Sequence, residues 1–195
     1  MDRCDDQSEV IGFLADARNF GATGSVERID THAAVIFLAG EYAYKLKRAV
    51  RYSYLDFSTP DKRKAVCEAE LVLNRRTAPN LYCRVEMIGR DGDGQLGLAH
   101  GVPVDWVLVM RRFPADCLFD VMASQHRLSH EVIRELADRI AAFHAASLPV
   151  YEAGAARLHS VIKGNRASMA ALPGGLLDNE ACDELTRRSV GMLAS

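Results

Sequence analysis

The run Tyr42-Ala43-Tyr44-Lys45-Leu46-Lys47 constrains the fold of this chain more than any other. It follows Ala34 to Ala39, a continuously apolar stretch, with only Gly40-Glu41 between them. So short a turn between two strand-like runs predicts antiparallel neighbours. Side chains alternate along a strand, so Ala43, Lys45 and Lys47 share one face and Tyr42, Tyr44 and Leu46 the other. Two ammonium groups must then sit on one side of a small sheet. A lysine on the inner face of a small sheet is unusual, because burying its charge is costly without a partner. The small Ala43 leaves room beside Lys45 for a flat ring.

The flanking sequence fits a strand-rich first half. Ser8 is placed to cap a first helix with Val10, Ile11, Leu14 and Ala17 as its apolar stripe, broken by Gly21 and Gly24. Val26 to Thr31, Ala34 to Ala39 and Tyr42 to Val50 predict three strands of a meander. Thr59-Pro60 opens a helix that runs to about Arg76 and stops before Pro79. Leu81 to Ile88 and Trp106 to Met110 predict two more strands. Asp91-Gly92-Asp93-Gly94 is a hairpin turn; it lacks the glutamate that an EF-hand calcium loop requires. Beyond Pro114 the pattern turns helical. A short helix is expected over Leu118 to Met122. Ser129 caps a longer one with Val132, Ile133, Leu136, Ile140 and Phe143 on one face, and Leu177, Ala181, Leu185 and Met192 mark a last helix.

The helix after Pro60 supplies two candidate acids. At 3.6 residues per turn, Glu68 and Glu70 point to different sides. Glu70 falls in the stripe of Val66, Cys67, Leu73 and Asn74, whereas Glu68 has Lys64 as a surface partner. Glu70 is therefore the acid expected to face the lysines. A sheet lysine steadied by a helix glutamate is what phosphoryl-transfer enzymes use to hold nucleotide phosphates. The alternative is a solvated basic strand, since Arg48 and Arg51 continue the charge.

Composition excludes several classes. The chain has 195 residues, 49% hydrophobic and 26% charged, which suits one domain or two small lobes with a packed core. Its net charge of −2 argues against a dedicated nucleic-acid or acidic-membrane binder. Cys4, Cys67, Cys83, Cys117 and Cys182 are scattered, with no Cys-x-x-Cys pair. They give neither a disulfide framework nor a zinc site, and read as thiols of a reducing cytoplasm. The acidic start, with Asp2, Arg3, Asp5 and Asp6, is not that of a secretory signal. No stretch approaches the roughly 18 apolar residues of a membrane span.

Six runs occur in order: Thr31-His32, Phe37-Leu38-Ala39-Gly40, Ala43-Tyr44-Lys45-Leu46-Lys47, Leu55-Asp56-Phe57-Ser58-Thr59, Cys67-Glu68-Ala69-Glu70-Leu71 and Leu73-Asn74-Arg75-Arg76. Together they resemble the aminoglycoside-phosphotransferase-like kinases of bacteria. Within that family the likeness is to the group whose kinase-like domain is usually fused ahead of a P-loop ATPase or kinase domain. It covers about residues 25 to 190 and is dense from 31 to 113.

The resemblance implies an α+β, protein-kinase-like fold. Residues 1–24 would be an N-terminal helical segment, 25–113 an N-lobe of antiparallel sheet plus one helix ending in a hinge, and 114–195 an incomplete helical C-lobe. Lys45 would be the phosphate-binding lysine, because Ala43 stands two places before it, with Lys47 as the alternative. Glu70 would be its helix partner. Met110-Arg111-Arg112-Phe113 would be the hinge that reads an adenine edge through backbone groups. Thr31 and His32 would lie in the turn over the phosphates, although Ala34 stands where the group carries a serine. His144 would be a structural residue at the end of a C-lobe helix.

The family's catalytic aspartate, the asparagine five residues beyond it and the later metal-binding aspartate have no counterpart here. After residue 144 the only aspartates are Asp178 and Asp183, and neither has that spacing. The resemblance therefore implies a truncated kinase that binds ATP, is inactive alone, and holds magnesium only when the rest of the C-lobe is present. Its phosphoryl acceptor would be a small molecule of unknown structure. Two other readings stand beside it. One is a non-catalytic nucleotide-binding or protein-interaction module, which could self-associate through an exposed lobe face. The other is a nucleic-acid strip built from Lys45, Lys47, Arg48 and Arg51 interleaved with Tyr42, Tyr44, Tyr52 and Tyr54.

Overall fold

The computed structural model describes residues 5–21, 24–151, 154–174 and 176–193. In chain order the elements are α1 (Ser8–Leu14), β1 (Glu27–Asp30), β2 (Ala34–Ala39), β3 (Tyr42–Lys47), the two-residue strands β4 (Arg51–Tyr52) and β5 (Leu55–Asp56), and α2 (Pro60–Arg75). Then come β6 (Tyr82–Arg90), β7 (Leu96–Leu98), β8 (Val102–Arg111), α3 (Phe119–Ser124), α4 (His130–Ala146), α5 (Gly154–Ala170) and α6 (Asn179–Gly191). They form two compact units. One holds the described chain up to Arg51 together with Leu55–Ala145; the other holds Tyr52–Tyr54 and the described chain from Ala146 onward.

The first unit is an α+β body built on an antiparallel six-stranded sheet in the order β1-β2-β3-β8-β6-β7. The meander of β1, β2 and β3 follows from its tight turns, and Gly40 takes the left-handed conformation (φ 56°) that the β2–β3 turn needs. In the β6–β7 hairpin the Asp91 carboxylate accepts from the N–H groups of Asp93 and Gln95. The Asp-Gly-Asp-Gly run is thus a turn stabilised by its own side chain.

The two faces of the sheet carry different chemistry. On one, Val35, Phe37, Tyr44, Leu46, Ile88, Val107 and Val109 pack with Val10 and Leu14 of α1 into the hydrophobic core. The N-terminal helix is therefore part of the sheet's own core, within the same unit as the strands. The alternate residues of β2 and β3, including Lys45 and Lys47, point to the other face. There α2 packs against β8 and β6. Thr59 caps α2 by accepting from the Lys62 N–H, and Pro60 takes the first position as its spacing predicts.

A buried polar node ties these elements together. The Arg63 guanidinium of α2 and the Asp105 carboxylate of β8 form a two-pronged pair (Nε–Oδ1 2.8 Å, Nη2–Oδ2 2.9 Å), and each residue is only 1% exposed. Gln7 donates from Nε2 to Asp105 (2.8 Å) and to the Lys47 carbonyl (2.9 Å), and its Oε1 accepts from the Ala49 N–H (2.7 Å). Every polar group of the node has a partner, as buried polar atoms require.

Several local expectations are corrected. The N-cap of α1 is Gln7, not Ser8, because the sheet takes the Gln7 side chain while the Ser8 N–H and hydroxyl both donate to Asp6. Ala17 lies outside α1, in a 3-10 turn (Ala17–Phe20) capped by Asp16. The third strand ends at Lys47 rather than Val50, and β8 begins at Val102, ahead of Trp106. Leu73, placed in the inner stripe with Glu70, is 59% exposed; the buried positions of α2 are Arg63 and Cys67.

In the second unit α5 packs against α6, with Arg166 of α5 paired to Asp183 of α6 at 2.5 Å. Asp178 caps α6 by accepting from the N–H groups of Glu180 and Ala181. No sequence signal marks α5, whose glycines Gly154 and Gly164 dilute any helical pattern. Cys67 and Cys182 are buried, Cys83 half-buried and Cys117 exposed, all as free thiols. Cys4 lies outside the described residues. Among the described residues no helix is long and apolar enough to cross a membrane.

Removing Asp105 takes from the buried Arg63 guanidinium its two-pronged partner and leaves only the half-exposed Asp5 carboxylate, at 3.3 Å, to answer the charge. Asp105→Ala should therefore cost about 3–5 kcal/mol. Glu68→Gln, which breaks only the exposed 3.9 Å pair with Lys64, should cost no more than about 0.5 kcal/mol. Urea unfolding of the two variants would test this ordering.

Candidate functional site

Strand alternation and the register of β3 build the site. Lys45 stands opposite Ile36 on β2 and Leu108 on β8, and Ala43 stands opposite Leu38 and Met110. Two rows of side chains thus cross the α2 face of the sheet, one containing an ammonium group and the other a gap at Ala43. From α2, Glu70 reaches both lysines. Its Oε1 accepts from Lys45 Nζ at 2.7 Å, and its Oε2 accepts from Lys47 Nζ. Glu68 points away, toward Lys64.

The two lysines differ in setting. The Lys45 side chain is 25% exposed and that of Lys47 only 8%. Lys47 Nζ also lies 5.5 Å from the centre of the Phe57 ring, a cation–π contact. Burial works against ionisation of Glu70, but the hydrogen bonds from Lys45 and Lys47 outweigh it and hold the carboxyl below its ordinary range. The neighbouring Cys67 thiol is pushed up to about 11 by burial. It stays protonated at neutral pH and is no nucleophile.

Beside Lys45 opens an apolar pocket of about 420 Å³, within the size range of small-molecule sites. Its walls are Ile29, Ile36, Leu38, Ala43 and Lys45 from the meander, Leu81, Tyr82 and Met110 from the strands beyond, and Arg111, Arg112, Phe113, Ala115 and Leu118 at the chain's exit from the sheet. The Arg111 N–H donates to the Leu81 carbonyl and the Arg112 N–H to the Glu41 carbonyl, both at 2.8 Å. The Phe113 N–H makes no hydrogen bond among the described residues. The site combines an apolar pocket with a backbone edge at Met110–Phe113 and an ammonium group held on a carboxylate. That arrangement suits a planar ring carrying an anionic tail.

Of the residues singled out in the sequence, Ala43, Lys45, Met110, Arg111 and Phe113 line this pocket, and Lys47 and Glu70 stand behind Lys45. Thr31 and His32 occupy the β1–β2 turn and do not line it. The Thr31 hydroxyl is engaged within the turn, accepting from the Ala34 N–H and donating to the Ala34 carbonyl. His144 is exposed in the last turn of α4. Sequence reasoning missed Ile36 and Leu38, which an unbroken apolar run does not assign to a face until their pairing with Lys45 and Ala43 is known. Leu118 carried no such signal. The remaining arginines of the basic strip are paired, Arg48 with Asp30 and Arg51 with Asp56. Among the described residues no cluster of His, Cys, Asp or Glu is placed to hold a metal ion.

No family model matches the chain, and no solved structure matches it. It is similar to proteins of Mycobacterium bovis and of two strains of Mycobacterium tuberculosis, each described as an uncharacterized protein. Each is 36% identical over 84 residues, which is 43% of this chain. The matched stretch spans 15% of the relatives' length.

The lowered Glu70 carboxyl has a consequence in acid. The unfolded chain, with an ordinary value near 4.5, takes up this proton more readily than the folded one. The stability that Glu70 contributes is therefore complete above pH 4.5 and is lost as pH falls through the lower native value. Glu70→Gln should flatten the acid limb of the stability–pH curve in that window, as followed by circular dichroism.

Proposed function

We propose that this chain supplies the ATP-binding portion of a small-molecule phosphotransferase of the aminoglycoside-phosphotransferase-like kind. The observation that carries the reading is the placement of Lys45, held by Glu70 of α2, on the wall of an apolar pocket. In this reading the base lies in the slot next to Ala43, where any larger side chain would intrude. The backbone at Met110–Phe113 reads the base edge, and the Lys45 ammonium meets the phosphates. Glu70 fixes the lysine, as a helix glutamate does in phosphoryl-transfer enzymes. The reading assigns no catalytic base and no magnesium ligand to this chain, so binding is what it expects of the chain, not turnover.

A charge-assisted hydrogen bond contributes about 1.5–3 kcal/mol, and about 1.4 kcal/mol is tenfold in affinity. Lys45→Ala should thus weaken ATP binding by roughly 10- to 100-fold while leaving adenosine binding within about twofold. Ala43→Leu should abolish both. Isothermal titration calorimetry with ATP and adenosine checks this. Failure of the wild-type chain to bind ATP, or indifference of ATP binding to Lys45→Ala, would overturn the reading.

One observation favours a protein-interaction module as a second reading. Ile133, Leu136 and Ile140 lie exposed along one face of α4, the spacing of an apolar docking stripe. Concentration-dependent association in sedimentation, lost on Ile140→Glu, would support it; a monomer at all concentrations would remove it.

A further inference from the structure

We infer that Lys47 is a positioning residue that cancels the charge of Glu70, so that the charge of Lys45 stays available to an anion in the pocket. The inference rests on the nucleotide reading and concerns the same site. On β3 the two lysines are two residues apart, about 6.6 Å along the strand. A single carboxylate on α2 answers both, one oxygen to each. The three groups therefore carry one surplus positive charge. With a single lysine the pair would be neutral, and an incoming phosphate would compete with Glu70 for the only ammonium group.

The surroundings decide which lysine holds the carboxylate and which meets the ligand. Lys45 lines the pocket and Lys47 does not. Lys47 is also the more confined. Its ammonium lies between Glu70 and the Phe57 ring, and its carbonyl accepts from Gln7. Gln7 in turn bonds Asp105, which pairs with Arg63. Two turns of α2 separate Arg63 from Glu70, so one buried network fixes the backbone of Lys47 and the helix that carries Glu70. The other charges of that network are Arg63, Asp105 and Asp5. Arg63 pairs with Asp105 at 2.8 Å and with Asp5 at 3.3 Å, none of them is paired with Glu70, and Cys67 is a neutral thiol. Lys47 is thus the counter-charge that Glu70 keeps when Lys45 turns to a ligand.

The test combines binding with a titration that needs no ligand. Lys47→Met should lower ATP affinity on the order of tenfold and leave adenosine affinity within about twofold. The double variant Lys47→Met/Glu70→Gln should recover most of the ATP affinity, because no carboxylate then competes for Lys45. Lys47→Arg should recover it as well. A purely structural role predicts instead a parallel loss for adenosine and no recovery in the double variant, and either result overturns the inference. In 13C NMR the Glu70 carboxyl of Lys47→Met should titrate at a higher pH than in the wild-type chain, and an unchanged midpoint overturns the inference without any nucleotide present. Absence of ATP binding by the wild-type chain alongside a raised Glu70 midpoint would sink the nucleotide reading and the ligand role of Lys45. It would leave only the charge pairing of Lys47 with Glu70.

Discussion

Two ammonium groups on one face of β3 have to be answered by an acid, and the first unit is arranged around that requirement. A helix must cross the face at a height that delivers one carboxylate to both lysines, so α2 has to be fixed in depth and rotation. The Arg63–Asp105 pair does this from the buried side of the helix, seven residues before Glu70. Apolar packing alone would not. The residues α2 turns inward are Arg63, Cys67 and Glu70, whereas Val72 and Leu73 are largely exposed. The helix is docked through polar contacts of defined geometry rather than through a greasy stripe that tolerates sliding.

The same requirement explains what the sequence could and could not disclose. Alternation along Tyr42–Lys47 puts Ala43, Lys45 and Lys47 on one face by geometry alone, and helix spacing separates Glu70 from Glu68. Those are local periodicities, readable within a few residues. The buried node joins positions that are 42 residues apart (Arg63 with Asp105) and 98 apart (Gln7 with Asp105). Nothing in the immediate sequence of Asp105, set among Val102, Pro103, Val104 and Trp106, announces a partner. Gln7 carries no local signal, and it takes the N-cap position expected of Ser8 while its side chain bonds the sheet instead. The expectation that Leu73 faces inward failed for a related reason, since i±3 and i±4 spacing alone put Leu73 in the stripe of Glu70, whereas the buried positions of α2 are Arg63 and Cys67.

The pocket was half legible for the same cause. Its β3 and β8 walls follow from Ala43, Lys45 and Met110, which local pattern or resemblance singled out. Its β1 and β2 walls, Ile29, Ile36 and Leu38, follow only once the register is known, because an unbroken apolar run does not say which of its residues face which side. Ile36 opposite Lys45 and Leu38 opposite Ala43 are statements about pairing rather than composition. The segment after β8 is legible least of all, since Ala115 opens a 3-10 turn and Leu118 stands at the N-cap of α3, and where these short elements lie depends on the sheet the chain leaves.

Register is where the opening constraint becomes most exacting. A slip of one residue between β2 and β3 would carry Lys45 and Lys47 into the core that Val10 and Leu14 of α1 complete, and would bring Tyr44 and Leu46 to the face of Glu70. Either displacement buries charge without a partner, so the two chemically distinct faces enforce a single alignment. The ladders agree with this. β2 pairs with β3 without interruption from Ala34–Lys47 to Ala39–Tyr42, and β3 continues in step onto β8. The irregularities of the sheet fall on the β6–β8 pairing, at Tyr82/Arg84 and Ile88/Gly89. The sheet therefore bends on the side of β8 away from the lysines and keeps its spacing where one carboxylate must meet two of them.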